Sequence, residues 1–153
     1  MMKRKVMGAL LTAAMVAGML ASVAVTASAE DGKQKLTVTF KDDGQGENHP
    51  WYVWVNSAYE NWDLKDQYEL EIATITGSES DYYTKVALEL ADANTCPDVV
   101  FEDTFQLPND VSAGYLTNLD EYLAGYDAWN DGTYYDTMKA GSIAADGSVY
   151  GVP

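Results

Sequence analysis

Two adjacent carboxylates, Glu102 and Asp103, follow directly after a short apolar run at residues 99–101. The run comes after a turn at Pro97 and contains no polar residue. An apolar run without alternation predicts a strand buried on both faces of a parallel sheet, and such sheets bind ligands beyond the carboxyl ends of their strands. Carboxylate oxygens accept hydrogen bonds from hydroxyl groups, so the two residues predict a site for a polar ligand.

Strands and helices alternate along the chain. Residues 36–40 and 68–75 are rich in β-branched and aromatic side chains and predict two further strands. Helices are predicted from Pro50 onwards, with Asn48 as the cap, and over residues 80–91. Strands that alternate with helices of about 10 to 15 residues imply right-handed crossovers and a parallel sheet. The sequence therefore predicts an α/β fold.

The polar residues that follow each predicted strand form the candidate site. Parallel strands end at one edge of their sheet, so their trailing loops meet there. Trp51 joins the candidates because it lies where the first loop enters its helix, whereas Trp54 and Trp62 have the helical spacing of core residues. The candidate ligand-binding residues are Asp42, Asp43, Trp51, Ser78, Glu102, Asp103 and Phe105.

The first helix carries one apolar face, and so does the second. Side chains at helical spacing on one side of a helix predict that this side packs on the sheet. Beyond the third strand the chain predicts short helices near residues 119–123 and 134–140, and a turn at Asp146-Gly147. The faces comprise Trp51, Trp54, Val55, Ala58, Tyr59 and Trp62 in the first helix, and Tyr83, Val86, Ala87, Leu90 and Ala91 in the second.

Residues 1–29 have the pattern of a cleavable signal peptide. Basic residues 3–5 precede a small-residue apolar stretch at 6–25, and Ala27-Ser28-Ala29 supplies the cleavage pattern. A retained transmembrane helix is the alternative, since about 20 apolar residues span a bilayer. Leu20-Ala21-Ser22 is followed by Val23, so no lipobox cysteine is present. We expect an exported protein, periplasmic or extracellular.

Charge limits the classes of partner. The formal net charge is −15, and removal of residues 1–29, which hold three of the nine basic residues and no acid, leaves −18. Nucleic acid and anionic membrane surfaces are poor partners for such a body. The acidic, glycine-containing segments 42–47 and 127–132 do not have EF-hand spacing, so we expect neither a metal nor a cofactor.

Two isolated reactive residues have structural interpretations. Cys96 is the sole cysteine and cannot form an internal disulfide; its place beside a strand entrance predicts a buried, packed thiol. His49 has no serine or cysteine partner at a recognisable spacing, and its position before Pro50 predicts a loop residue or a helix cap.

Several short motifs occur in an order typical of one family. A helix at 80–91 precedes Pro97-Asp98-Val99, which is followed by a variable loop, by Gly114-Tyr115-Leu116-Thr117-Asn118-Leu119, and by Asp146-Gly147-Ser148-Val149-Tyr150-Gly151-Val152-Pro153. In this order they resemble the extracellular solute-binding proteins of ABC importers, family 1, the maltose-binding-protein-like sugar binders. The resemblance covers residues 36–153 and departs from the family at Ser148, where lysine is usual.

The resemblance implies a fold, a function and partners. Residues 30–153 would form an incomplete N-terminal lobe of a two-lobed periplasmic-binding-protein fold, with a parallel or mixed sheet flanked by helices and truncated before the second lobe. The family's monomers capture a small solute between two lobes and deliver it to the membrane subunits of an ABC permease. Asp43, Asp103 and Phe105 match sugar-contacting positions, and so does Glu102, where the family has an aromatic residue.

Two other classes remain as alternatives. A secreted carbohydrate-active enzyme would use two carboxylates that flank one glycosidic bond. Adjacent residues of an extended segment point in opposite directions, so Glu102 and Asp103 do not suit that role, and we do not expect an enzyme. A surface carbohydrate-binding or adhesin domain would be a β-sandwich in most cases, which the alternation of helices and strands argues against.

Overall fold

A computed structural model describes residues 32–153 of the chain. The predicted signal peptide at 1–29, and with it the alternative of a retained membrane helix, lies outside the described residues. Among the helices of residues 32–153, none has the length and apolar character needed to cross a membrane.

Three parallel strands form the sheet, in the order β2-β1-β3. β1 spans Gln34–Asp42, β2 spans Tyr68–Thr76 and β3 spans Val99–Val100. β1 is central because its neighbours pair with it on both sides, and its residues Val38, Thr39 and Phe40 are buried. The prediction of an α/β fold with a parallel sheet is confirmed.

The third strand is shorter and more open than its sequence suggests. Val99 is 44 % exposed, so the prediction of a strand buried on both faces is wrong. β3 lies at the edge of the sheet formed by the described strands and has β1 as its only neighbour there. One further hydrogen bond, from the Phe101 backbone N–H to the Thr39 carbonyl at 3.0 Å, continues the pairing beyond Val100.

Helix α1 spans Pro50–Glu60 and begins with proline at its first position, as predicted. Its cap is His49, whose Nδ1 accepts a hydrogen bond from the Trp51 backbone N–H at 3.2 Å. The prediction of Asn48 as the cap is therefore wrong, and the prediction that His49 is a loop residue or helix cap is confirmed. The imidazole reaches the first turn because His49 is extended, with φ −63° and ψ 134°.

The apolar face of α1 is only partly covered. Trp54 is 65 % exposed, so the prediction of Trp54 as a core residue is wrong. A sheet of three strands is too narrow to cover the helix fully, and no residue of α1 is fully buried. Trp62 does pack, with its ring centroid 5.0 Å from that of Tyr68. The Tyr59 hydroxyl donates to the Tyr68 carbonyl at 2.8 Å and joins the end of α1 to the start of β2.

Helix α2 spans Glu79–Leu90 and covers one face of the sheet. Tyr82, Val86 and Leu90, at intervals of four residues, are buried against Ile75 of β2. These four residues form the main apolar core of the part that the structure describes, and Tyr83, Val100 and Tyr115 pack around it. The predicted apolar face of α2 is correct with two exceptions. Tyr82 is the fully buried tyrosine in place of its neighbour Tyr83, and Ala91 is exposed.

Short elements complete the chain after β3. Helix α3 spans Leu107–Ala113, α4 spans Asp120–Leu123, α5 spans Asp127–Asn130 and α6 spans Asp136–Lys139. The predicted turn at Asp146-Gly147 is confirmed, because the Gly147 N–H donates to Ala144 at 3.0 Å and an antiparallel bridge joins Ile143 to Val149. Cys96 lies exposed in the loop before β3, so the prediction of a buried thiol is wrong.

Candidate functional site

The three strands bring their trailing loops to one edge. Asp42 pairs with Thr76 across β1 and β2, and Thr39 pairs with Val100 across β1 and β3. Because all three strands are parallel, the loops after them leave in the same direction. We call this region the carboxyl edge and define it as residues 42–51, 77–81 and 101–106. All seven candidate residues from the sequence lie on it.

Four aromatic rings form the base of the carboxyl edge, and we call them the ring cluster. Trp51 is their centre, with ring centroids 5.2 Å from both His49 and Phe101 and 6.0 Å from Phe40. Phe40 is completely buried, whereas Trp51 and Phe101 are half-buried. Trp51 therefore packs against the sheet, as a core residue does, and also keeps part of its ring exposed, as a ligand-contacting residue would. The ring cluster comprises Phe40, His49, Trp51 and Phe101.

The two acids at the end of β1 have partners within their own loop. Asp42 is buried and accepts hydrogen bonds from the backbone N–H groups of Gln45 at 2.8 Å and Gly46 at 3.1 Å. Burial opposes the ionisation of Asp42, but these backbone donors outweigh it and hold its pKa below the ordinary value. Asp43 is exposed and forms an ion pair with Lys41. Asp42 thus shapes the loop, and Asp43 remains accessible.

Ser78 begins α2 with a reciprocal cap. Its hydroxyl oxygen accepts a hydrogen bond from the Asp81 backbone N–H at 3.2 Å, and the Asp81 carboxylate accepts one from the Ser78 N–H at 3.2 Å. This capping box satisfies backbone donors at the first turn of the helix. Gly77, with φ +133°, supplies the backbone conformation that leads into it. The Ser78 hydroxyl also donates to the Asp81 carboxylate at 2.7 Å, so its oxygen and its proton are both hydrogen-bonded to the first turn of α2.

Asp103 and Phe105 form the open part of the third loop together with Tyr83 of α2. The Tyr83 hydroxyl donates to the Asp103 carboxylate at 2.6 Å, and burial together with this acid raises the pKa of Tyr83. The Phe105 ring meets the Tyr83 ring edge-on, with centroids 5.1 Å apart. Phe105 is 60 % exposed. We call Tyr83, Asp103 and Phe105 the open triad.

Glu102 points away from solvent. Both of its carboxyl oxygens are buried and have no hydrogen-bond donor among residues 32–153. Burial and the adjacent carboxyl of Asp110, a buried residue of α3, raise the pKa of Glu102 to about 8. The carboxyl is therefore a neutral acid in most molecules at neutral pH. Asp110 carries no signal in the sequence, because its burial arises only when α3 folds back on the carboxyl edge.

Close packing against Gly141 holds one side of the loop that follows β3. A Cβ atom placed on Gly141 would lie 2.8 Å from Cγ2 of Thr104, so a larger residue at this contact would require the Thr104 side chain to move. The loop is held on its other side by α2, since the Tyr82 hydroxyl donates to the Phe101 carbonyl. The segment between Phe101 and Phe105 is consequently positioned from two directions, although it has no regular secondary structure.

A separate cleft of about 230 Å³ lies between α1 and the first half of β2. It is away from the carboxyl edge, which begins where β2 ends, and none of the seven candidate residues lines it. The cleft is lined by Tyr52, Asn56, Tyr59, Glu60, Glu69, Leu70 and Ile72.

The carboxyl edge combines aromatic surface with acceptor oxygens. Aromatic rings cover apolar faces of a ligand, and carboxylates accept hydrogen bonds from its hydroxyl groups. Of the residues that sequence reasoning missed, Tyr83, Phe101 and His49 adjoin predicted candidates in space. Only His49 carried a usable signal, its place before Pro50.

No protein-family model matches this chain, and no curated protein matches it.

Proposed function

We propose that this chain is the exported substrate-binding component of an ABC importer, and that its carboxyl edge captures a small solute, a sugar or an oligosaccharide. One observation carries the proposal: the parallel register of β2, β1 and β3 gathers aromatic rings and acids from three separate loops at one edge. Loops beyond the carboxyl ends of parallel strands are where α/β folds bind their ligands.

The open triad, which joins Asp103 and Phe105 of the carboxyl edge to Tyr83 of α2, is the group of residues best suited to a sugar. Phe105 offers an exposed ring to the apolar face of a pyranose, and the adjacent Asp103 carboxylate offers acceptor oxygens to its hydroxyl groups. Tyr83 holds both residues, one by a hydrogen bond and one by ring packing. Such preorganisation lowers the entropy lost when a ligand binds.

Residues 30–153 would belong to the first of two lobes in this proposal. Two α/β lobes close on one solute, and the closed form docks on the membrane subunits of the permease. A solute shifts the equilibrium towards the closed form only by its differential affinity for that form, so contacts from both lobes are needed. We expect residues 30–153 without a second lobe to bind sugars weakly, with a dissociation constant around 1 mM or above.

The alternative of a secreted glycosidase has less support from the geometry. The acid with a raised pKa, Glu102, has both carboxyl oxygens buried, whereas a general acid must reach the glycosidic oxygen. Its close partner Asp110 is also buried, so the two carboxyls do not flank an open space.

Thermal shift and calorimetry with a panel of mono- and oligosaccharides test the proposal. At millimolar sugar we expect at least one panel member to raise the melting temperature of the purified chain. Phe105→Ala should weaken that binding about fivefold, since one aromatic contact contributes about 1 kcal/mol. Tyr135→Ala is the matched control, because Tyr135 is an aromatic residue even more exposed than Phe105 and lies outside the carboxyl edge. Stabilisation by a peptide or a polyamine, with none by any sugar, would contradict the carbohydrate assignment.

A further inference from the structure

Glu102 and Asp110 form a pair that the proposed solute contacts do not use. Glu102 is the one residue with buried side-chain nitrogen or oxygen atoms that lack a hydrogen-bond partner, within residues 32–153. Asp110 is 6 % exposed. Two ionised carboxylates cannot hydrogen-bond to one another because neither has a proton to donate, and their repulsion is strong where water is excluded.

A single proton resolves this conflict. If one of the two carboxyls is protonated, it donates to the other and forms a charge-assisted hydrogen bond, and the buried pair carries one negative charge in place of two. We propose that Glu102 and Asp110 share one proton at neutral pH, that this proton fastens α3 to the exit of β3, and that its loss to solvent in alkaline solution releases residues 102–110 from the carboxyl edge.

The neighbouring groups of the pair are uncharged or hydrogen-bonded elsewhere, so a proton is what can offset the second negative charge. From α2, Tyr82 donates its hydroxyl proton to the Phe101 carbonyl, and Tyr83 donates its own to Asp103. The segment after α6 approaches through the uncharged Gly141, which adjoins Thr104, and through Gly151, which adjoins Leu107. None of the salt bridges formed within residues 32–153 includes Glu102 or Asp110.

The position of the pair explains how a change in its charge would affect the carboxyl edge. Glu102 is the second residue after β3, and Asp110 lies in the middle of α3, so their contact closes the loop that carries Asp103 and Phe105. The buried Leu107 anchors the same turn of α3. When both carboxyls are charged, their repulsion acts across the base of this loop, and the open triad loses its support.

Proton linkage sets the sign and the range of the effect. The pKa of Glu102 is raised from 4.5 to about 8 in the folded protein, so the folded state binds the proton more tightly than the unfolded state does. The stabilisation is complete below about pH 4.5 and is lost progressively as the pH rises to about 8. Between pH 6 and pH 8 this predicts a fall in melting temperature of about 5 to 10 °C.

Two neutral variants test the shared proton. In Glu102→Gln and in Asp110→Asn, an amide donates to the remaining carboxylate at every pH. Each should melt with a smaller dependence on pH between 6 and 9 than the unsubstituted chain, and each should be the more stable protein at pH 9. Asp103→Asn is the matched control, because Asp103 is the adjacent acid of the same loop and its amide oxygen can still accept from Tyr83. This control should keep the unsubstituted dependence on pH.

Two further measurements need no solute, and the first of them needs no variant, so it is independent of variant folding. A carbon NMR titration of the glutamate carboxyls of the full chain should show one group, assigned to Glu102, with a midpoint above pH 6.5. At pH 9, chymotrypsin should cleave the unsubstituted chain after Phe105 several-fold faster than it cleaves Glu102→Gln. A Glu102 midpoint at or below pH 6.5, or equal cleavage of the two proteins at pH 9, would overturn the proposal.

Discussion

Substitution of His49 can separate its two contributions to the carboxyl edge. His49 is buried, it caps α1 through Nδ1, and its ring contacts the rings of Phe40 and Trp51 at centroid distances of 5.3 and 5.2 Å. His49→Asn retains a good capping side chain but removes both ring contacts. His49→Phe retains an aromatic ring but removes the cap acceptor.

The magnitudes follow from these contacts. Each aromatic pair contributes about 0.5 to 1.5 kcal/mol beyond the area that it buries, so His49→Asn should lower the free energy of unfolding by about 2 kcal/mol. Loss of a cap costs about 1 kcal/mol, so His49→Phe should be the milder change. Urea unfolding followed by circular dichroism at constant pH measures both values.

A control distinguishes this cap from the one predicted from sequence. Asn48 is exposed, and its side chain makes no hydrogen bond within the described part of the chain. Asn48→Ala should therefore change the free energy of unfolding by less than about 0.5 kcal/mol. If Asn48→Ala costs more than His49→Phe, or if His49→Asn is neutral, the assignment of the cap and of the ring contacts is refuted.

Further substitutions address the other parts of the carboxyl edge. Ser78→Ala should cost about 1 kcal/mol of stability through loss of the α2 cap, whereas Ser78→Thr should cost much less, and equal losses in urea unfolding would argue against the cap. Phe40→Ala should destabilise the fold by about 3 to 5 kcal/mol because Phe40 is completely buried among three rings; a loss below about 1 kcal/mol would contradict this packing. Because the pKa of Asp42 is lowered in the folded state, its contribution is present above pH 3.8 and is lost as the pH falls below that value. Asp42→Asn should therefore reduce the fall in melting temperature between pH 5 and pH 2.5, and an unchanged fall would count against the loop hydrogen bonds.

The positions and the parallel direction of the strands could be predicted because they depend on local pattern. Residues 36–40 and 68–75 identified β1 and β2, and the alternation with helices implied their parallel pairing, which places the loops after them at one edge. The structure extends both strands, to Gln34–Asp42 and Tyr68–Thr76, because pairing with a neighbour recruits polar residues at the strand ends.

Burial could not be predicted with the same success, because it depends on distant parts of the chain. The apolar run at Val99 indicated a buried strand, but its place at the sheet edge leaves it exposed. Trp54 follows the helical spacing of core residues, yet the narrow sheet does not reach it. Asp110 has no sequence signal, since an acid in a short helix after Leu107-Pro108 becomes buried only through the packing of α3 near Glu102.

The central claim is that the carboxyl edge is where this protein binds its solute. A nitrogen–proton NMR titration of the chain with the sugar that stabilises it best tests this claim residue by residue. We expect the chemical-shift changes to concentrate at residues 42–51, 77–81 and 101–106. Shifts concentrated instead around Tyr52, Tyr59 and Leu70, in the cleft between α1 and β2, would contradict it.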